Sequence, residues 1–594
     1  MSSSTADNID IDYNTETVSV LVIGAGAAGA RAGIELKEQG IDDVLVVSRH
    51  SLRDAHTKWA RGGINAALGN LNDSDSWSIH AADTLKEGHF VNDPEKVEIV
   101  AENIPDRVRE VDEWGMPFTR TDNEKINQRY FGAQAYPRTV FAGDHTGESL
   151  LNTLIDKAQE LNVPYRDGIF VTKIISDGDT AYGAVGVNSE SGRPVVFNAG
   201  SVVLAAGGYS AIYGRHSSTD DENTGDGPAL ALEGGAEVMD MEFVQFHPTG
   251  MAVDESDDEW ASYSGRLVTE AVRGEGGHLY NTEGERFMER YSPEQKELDA
   301  RDVVARSIRQ EIDAGRGTEN GGVYLDISHK DREFIEERLP RMYERFQSLG
   351  VDMAEEPVEV APTSHYGMGG VVTDKNGETC VSNLYAIGET MAGVHGANRL
   401  GGNSLAETVV YGKHTGEHIA NEPTRGETTI PDVVTEEVVH AHIAHLTEYA
   451  HQDGDRDPET VLNEVRDVMW DVAGVYRSEE KLTHGKERLA ELREEYASVE
   501  TNGFTSESFA FAQMLRFALI TAETIINGAL EREESRGAHY RTDYEDTDEE
   551  YTVNLHQKQT DEGYTVTRHT PQHPSEEVQK ALDEGHELDY HQLE

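Results

Sequence analysis

The chain has 594 residues, too many for one hydrophobic core, so its length predicts two to four domains. Its 111 Asp and Glu outweigh 51 Lys and Arg, and the formal net charge of −60 excludes nucleic acid and anionic membrane surfaces as partners of most of its exterior. With 37% apolar residues and recurrent glycine motifs, the composition predicts a folded protein whose acid-coated surface suits a high-salt cytoplasm.

A single cysteine, Cys380, excludes an intrachain disulfide and a four-cysteine cluster, so no metal centre is expected in this chain. No run approaches 18 uncharged apolar residues, and the opening MSSSTADNIDIDYNTET is polar and acidic without a basic start. The expectation is a soluble, cytoplasmic chain.

From Val18 the pattern VSVLVIGAGAAGARAGIELKEQGIDDVLVVS reads as strand, glycine turn, helix, strand. Gly24, Gly26 and Gly29 have the GxGxxG spacing of a dinucleotide site: the first makes the turn, the second admits a pyrophosphate, the third packs helix on strand. The phosphates belong at the helix N-terminus, where N–H groups lack partners. At the end of the second strand, where an acid would take the ribose of a nicotinamide cofactor, the chain reads Val47, Ser48, Arg49. A hydroxyl in that place fits a flavin better. Two later segments, SVVLAAGGYS (Ser201 to Ser210) and LYAIGETMAGVHGANRLGGNSLAETVVYG (Leu384 to Gly412), repeat strand and glycine turn, and ENTGDGPALALEGGA sets Asp226 before a helix. Three separated segments returning to one nucleotide predict a discontinuous cofactor domain with an insertion between about Phe246 and Ser364.

After Pro423 the stretches 435–451, 459–499 and 506–540 read as amphipathic helices, as in a bundle packed on the cofactor domain. From Arg541 the chain turns acidic and poor in apolar residues, which predicts a tail partly extended and partly disordered.

These strings, with HTKWARGGINAALG, QFHPTG, LVTEAVRGEGG, GERFMERYSP, RDVVARS, HYGMGG, HGANRLGGNSLAE and ESRGAHY, resemble the flavoprotein subunits of succinate dehydrogenase and fumarate reductase from about Val18 to Tyr544. L-aspartate oxidase is a near relation of that family. The resemblance implies an α/β fold: a discontinuous Rossmann-like FAD-binding domain (16–245 and 365–422), an inserted α+β capping domain (246–364), a helical domain (423–541) and an acidic C-terminal segment (542–594).

It also implies FAD bound covalently through His56, since the family's histidine ahead of the glycine pair is bonded to the flavin 8α-methyl group. A flavin so substituted is the stronger oxidant that unactivated succinate requires. Thr57 and the pair Gly62 and Gly63 complete that loop, whereas Arg61 departs from the Gln or Glu more frequent there. Asp226, Glu389, Ser404 and Leu405 match further FAD positions, Glu389 toward the ribose and the last two toward the ring carbonyl; Asp226 as a simple helix cap is the competing reading. His247, Thr269, His365 and Arg399 match the positions that hold a C4 dicarboxylate, with Arg399 gripping a carboxylate by its fork. Arg301 matches the proton carrier, with Glu270 and Arg273 as its relay; a purely structural salt-bridge cluster would use the same residues. The implied reaction is hydride exchange between a substrate carbon and flavin N5, with Arg301 moving the proton at the neighbouring carbon. Electrons then pass to an iron–sulfur subunit seated on a membrane anchor, which places this chain on the cytoplasmic face of the cell membrane. The alternatives are an aspartate-oxidase-like flavoenzyme and a non-catalytic scaffold; His56 and GANRLGGNS weigh against the first, and the intact substrate set against the second.

Overall fold

A computed structural model describes residues 13–219, 222–254, 256–422, 429–561 and 563–586. Its centre is a seven-stranded sheet in which Tyr165–Arg166, Val44–Val47, Asn14–Ile23 and Arg193–Leu204 run parallel in that order. Leu384–Ala386 adds to Arg193–Leu204 in the same sense, pairing Leu384 with Val202 and Ala386 with Leu204. The three segments predicted to share a nucleotide therefore end side by side at the carboxyl end of the sheet. Ala181–Asn188 and Ile169–Ser176 extend it antiparallel.

The strand Asn14–Ile23 is buried from Val20 on because both sheet faces are covered, which is why its sequence is apolar without alternation. Helix Ala27–Glu38 covers it and packs on helix Asn403–Asn421, whose Gly412 and Gly416 leave no space for a side chain: a Cβ there would lie 2.7 Å from that of Arg31 and 2.9 Å from that of Glu35.

The inserted segment has its own antiparallel sheet, ordered Val244–Met251, Val358–Gly367, Val323–Asp326, His278–Tyr280, and its own apolar core around Val272, Leu325 and Phe346. Residues 246 and 364, the limits expected for the insertion, fall inside the two paired strands that lead into and out of it.

The helical region differs from its prediction in two places. The stretch 459–499 breaks at Gly474 into Pro458–Ala473 and Glu479–Tyr496, each opened by a side-chain cap from Asp457 and Ser478. The helix Glu507–Glu531 stops before Arg532 instead of running on to Tyr540. It is long and apolar enough to cross a membrane, but 78% of its most apolar window is buried inside the protein, as in a core helix.

The acidic tail is more ordered than its composition predicts. Asn554–Thr560 and Gly563–His569 form a hairpin that joins Val238–Met239 and Gly370–Val371 in a sheet, and helix Glu576–Glu584 buries Val578 and Ala581 with Ile79 and Leu85. The physical reason is a buried arginine. Arg532 is fully enclosed and donates to Glu242 at 2.7 Å and to the Tyr551 and Val553 carbonyls, so the chain beyond Glu531 is tied to the cofactor domain through polar groups that hydropathy does not report. Residues 587–594 and the N-terminal 1–12 lie outside the described residues.

Candidate functional site

A cleft opens at the carboxyl ends of the parallel strands, where open α/β sheets bind their ligands. Gly24 starts it at φ +115°, and a side chain there would meet the Ala205 carbonyl at 2.1 Å. Gly29 does not border the cleft; a Cβ on it would strike the Gly24 carbonyl at 2.0 Å, so it serves the helix–turn packing expected of the third glycine. Gly26, Ser48, His56, Thr57, Asp226, Glu389, Ser404 and Leu405 all line the cleft.

Asp226 is the first residue of helix Asp226–Glu233 and Gly225 is its cap, so the capping alternative does not hold. Asp226 stands 3.7 Å from Arg49 and accepts from the Thr224 hydroxyl. Glu389 follows strand Leu384–Ala386 and accepts the Gly367 N–H at 3.1 Å; burial raises its pKa to about 7. Ser404 sits in the first turn of helix Asn403–Asn421, behind Gly402 at φ +92°. His56 begins the single turn His56–Trp59, with Nδ1 3.6 Å from Glu222 Oε2. Both atoms are buried and face each other as an ion pair, with no other hydrogen-bond partner within the protein. A glycine-walled cleft with this buried polar pair at its wall fits a dinucleotide.

Gly62 and Gly63 do not line this cleft. Side chains there would collide with the Phe131 ring at 2.7 Å and the Val140 carbonyl at 2.5 Å, so the small size of the pair serves packing behind the loop. Arg61 also faces away, buried against Trp59.

Of the dicarboxylate residues only His365 borders the flavin cleft; the others cluster behind it. The His247 and His365 rings meet edge to face, 5.5 Å apart. His247 Nδ1 accepts the Thr249 N–H at 3.2 Å, which leaves the ring proton on Nε2, a buried atom without a partner. Burial, then Arg301, Arg273 and Arg399, holds His247 well below the usual imidazole range, so it is a neutral donor. His365 is held low by burial and Arg399, and its Nδ1 meets the Ser218 hydroxyl at 2.8 Å. Thr269 is buried and accepts from the Ala271 N–H, keeping its own proton for a ligand. Arg399 lies over the Tyr366 ring at 4.4 Å, and burial with Arg301 beside it lowers its pKa to about 9.

Arg301, at the start of helix Arg301–Glu311, donates from Nε and Nη2 to one oxygen of Glu270 at 2.8 and 2.6 Å, and Arg273 approaches that oxygen at 3.9 Å. Burial opposes ionisation of Glu270, but the two arginines outweigh it and hold its pKa at about 2. The expected trio is in contact.

The sequence reading missed Gln245. Its Oε1 accepts from Arg301 Nη1 at 3.0 Å and from Arg399 Nη2 at 2.8 Å, linking proton carrier and carboxylate clamp. It missed Tyr366, whose hydroxyl donates to Glu407 at 3.0 Å beside His395 while its ring carries Arg399. Both belong to family motifs, QFHPTG and HYGMGG, in which the neighbouring histidine drew the assignment. Gly401 also has a reason to be glycine, since a Cβ would press on Arg301 Nη2 at 3.1 Å.

Residues 19–405 match the FAD binding domain family, and residues 462–581 match the fumarate reductase flavoprotein C-terminal family. The chain is 43% identical over 540 residues to a subunit of the fumarate reductase (CoM/CoB) of Methanothermobacter marburgensis, covering 90% of this chain and 96% of that one. It is 37% identical to the succinate dehydrogenase flavoprotein subunit of Rickettsia bellii, covering 89% and 90%. Among solved structures, an E. coli quinol fumarate reductase superposes with a TM-score of 0.88 at 32% identity, covering 95% and 99%. Mycobacterium smegmatis Sdh1 superposes with 0.82 at 37%, covering 95% and 96%. The chain belongs to the succinate dehydrogenase and fumarate reductase flavoprotein family, a family of FAD-dependent oxidoreductases.

Proposed function

We propose that this flavoprotein subunit interconverts succinate and fumarate at the cluster around Arg301. The observation that carries the reading is the ion pair of Arg301 with Glu270, set among the neutral donor His247 and the clamp Arg399. FAD, when bound, supplies the two-electron acceptor and donor. Arg399 grips one carboxylate, and His247, His365 and Thr269 donate to the dicarboxylate. Arg301 holds the proton exchanged with the substrate carbon; Glu270, kept ionised, and Arg273 return it. An arginine can do this only when preorganised, and two hydrogen bonds to Glu270 with a third to Gln245 fix its plane.

His56 is the residue we assign to covalent attachment. Electrons leave to an iron–sulfur partner and through it to a membrane anchor, with this chain peripheral on the cytoplasmic face. The family supports these partners, and the single cysteine of this chain requires the cluster to sit elsewhere. The test is turnover of the purified holoenzyme with succinate, fumarate and L-aspartate and artificial electron carriers. Succinate oxidation or fumarate reduction without aspartate oxidation is the expected result, and aspartate turnover alone overturns it.

A further inference from the structure

A second cleft, of about 680 Å³, opens between the His56–Trp59 turn and the capping helix Pro340–Ser348. Its charge is opposite to that of the chain. Arg53, Lys58, Arg61, Arg341 and Arg345 line it, against the carboxylates of Glu148 and Glu344 only. Some of these cations are spoken for: Arg53 by Asp156, Lys58 by Asp54, and Arg341 by Glu344 at 3.7 Å. Arg61 and Arg345 have no ion-pair partner among the described residues. Burial pushes the pKa of both down; Asp144 and Glu148 offset this at Arg61, while Arg61 and Arg266 add to it at Arg345. Bringing like charges together in a half-closed cleft is costly unless an anion visits it, and this chain has 111 acidic side chains from which a partner could have been drawn.

Trp59, Arg61 and Arg345 also line a small neighbouring recess together with Ser218, Arg266 and Leu267. The Ser218 hydroxyl is bonded to His365, and Leu267 lies two residues before Thr269. A cationic surface thus extends from the second cleft to Ser218, the bonded neighbour of His365. We propose that it is the substrate's entrance, in which Arg61, Arg341 and Arg345 capture a dicarboxylate dianion and pass it to His365 and Thr269. This rests on the succinate–fumarate reading above. An acidic enzyme repels its own dianionic substrate from most of its surface, and a local cationic funnel restores the encounter rate at one place.

The test uses FAD-loaded holoenzyme and malonate, a dicarboxylate that cannot be desaturated, with binding followed in a stopped flow by the flavin absorbance. The double variant Arg341→Gln/Arg345→Gln, whose two arginines do not line the flavin cleft, should associate with malonate about tenfold more slowly. Its turnover at saturating succinate should be unchanged. Arg345→Lys should stay within about twofold of the parent, and the parent's association rate should fall more steeply with salt than the double variant's. An unchanged association rate in the double variant overturns the entrance, as does a loss of turnover at saturation equal to the loss in association. If the parent holoenzyme neither binds malonate nor turns over succinate, the functional reading fails first and takes the entrance with it.

Discussion

Replacing Glu270 by glutamine removes one negative charge from between two arginines and leaves the side-chain size unchanged. Glu270 takes two hydrogen bonds from Arg301 and the Gly132 N–H at 3.2 Å, and its pKa of about 2 compares with 4.5 for an unperturbed glutamate. A depression of that size in a fully buried group corresponds to about 3 kcal/mol of native stability. The folded pKa is the lower one, so this contribution is complete above about pH 4.5 and is lost as the pH falls toward 2. Glutamine resembles the protonated acid and has no such titration. Denaturant unfolding of both forms at fixed salt should show the variant about 3 kcal/mol less stable at pH 7, with the gap closing below pH 4.5. Succinate turnover should fall by about 10²- to 10⁴-fold, the usual worth of a positioned proton-transfer group. A gap that stays constant from about pH 7 to about pH 3 would falsify the ionised pair, and near-normal turnover would remove Glu270 from the proton path.

His56→Ala should keep the fold but release all flavin on acid precipitation, whereas the parent polypeptide band should stay fluorescent; free flavin from a fully matured parent would refute covalent attachment. Arg399→Ala should weaken dicarboxylate binding and turnover together, read as a rise in the malonate dissociation constant, because a carboxylate loses a bidentate partner worth about 1.5–3 kcal/mol. Arg532→Met leaves Glu242 buried without its cation and should cost about 3–5 kcal/mol. Limited proteolysis should then cut between Arg532 and the hairpin Asn554–His569 first, and an unchanged cleavage pattern would show that the tail is anchored by other contacts.

The cofactor half of this molecule was legible because its constraints are local. A glycine at φ +115° against a carbonyl, or an apolar run buried on both faces, leaves its mark in a few consecutive residues. The tail was misread for the opposite reason. Its order depends on Arg532, Arg536 and Arg541 being buried against Glu242, Glu534 and Asp543, and a composition rule counts each of these as a solvated charge. Gly62 and Gly63 show a third limit. Their need for small size is real, but the neighbours that impose it, Phe131, Thr139 and Val140, lie far along the chain, so the sequence shows the constraint without its cause. Arg61 was visible as a departure from the family pattern; only the structure shows that it faces a different cleft.

Gln245 joins the two halves of the site, and its substitution separates what each half contributes. Arg301 belongs to the inserted segment and Arg399 to the cofactor domain, yet one carbonyl oxygen of Gln245 serves both, while its amide donates to Asn398 Oδ1 and the Arg399 carbonyl, each at 2.9 Å. Two guanidinium groups so close repel each other, and the oxygen between them offsets part of that repulsion. Gln245→Leu has similar volume and no acceptor, so it should lower both dicarboxylate affinity and turnover, by a combined factor of about 10 to 100 for charge-assisted bonds of this kind. Gln245→Glu places a full negative charge between the two arginines. It should raise the unfolding midpoint while weakening malonate binding, because the new carboxylate satisfies the charge that the ligand would otherwise meet. Stability and affinity therefore move in opposite directions for Glu and together for Leu. If Gln245→Glu binds malonate as tightly as the parent, Arg399 is not meeting a substrate carboxylate through the face that Gln245 occupies, and the clamp must be sought on the Tyr366 side of the guanidinium.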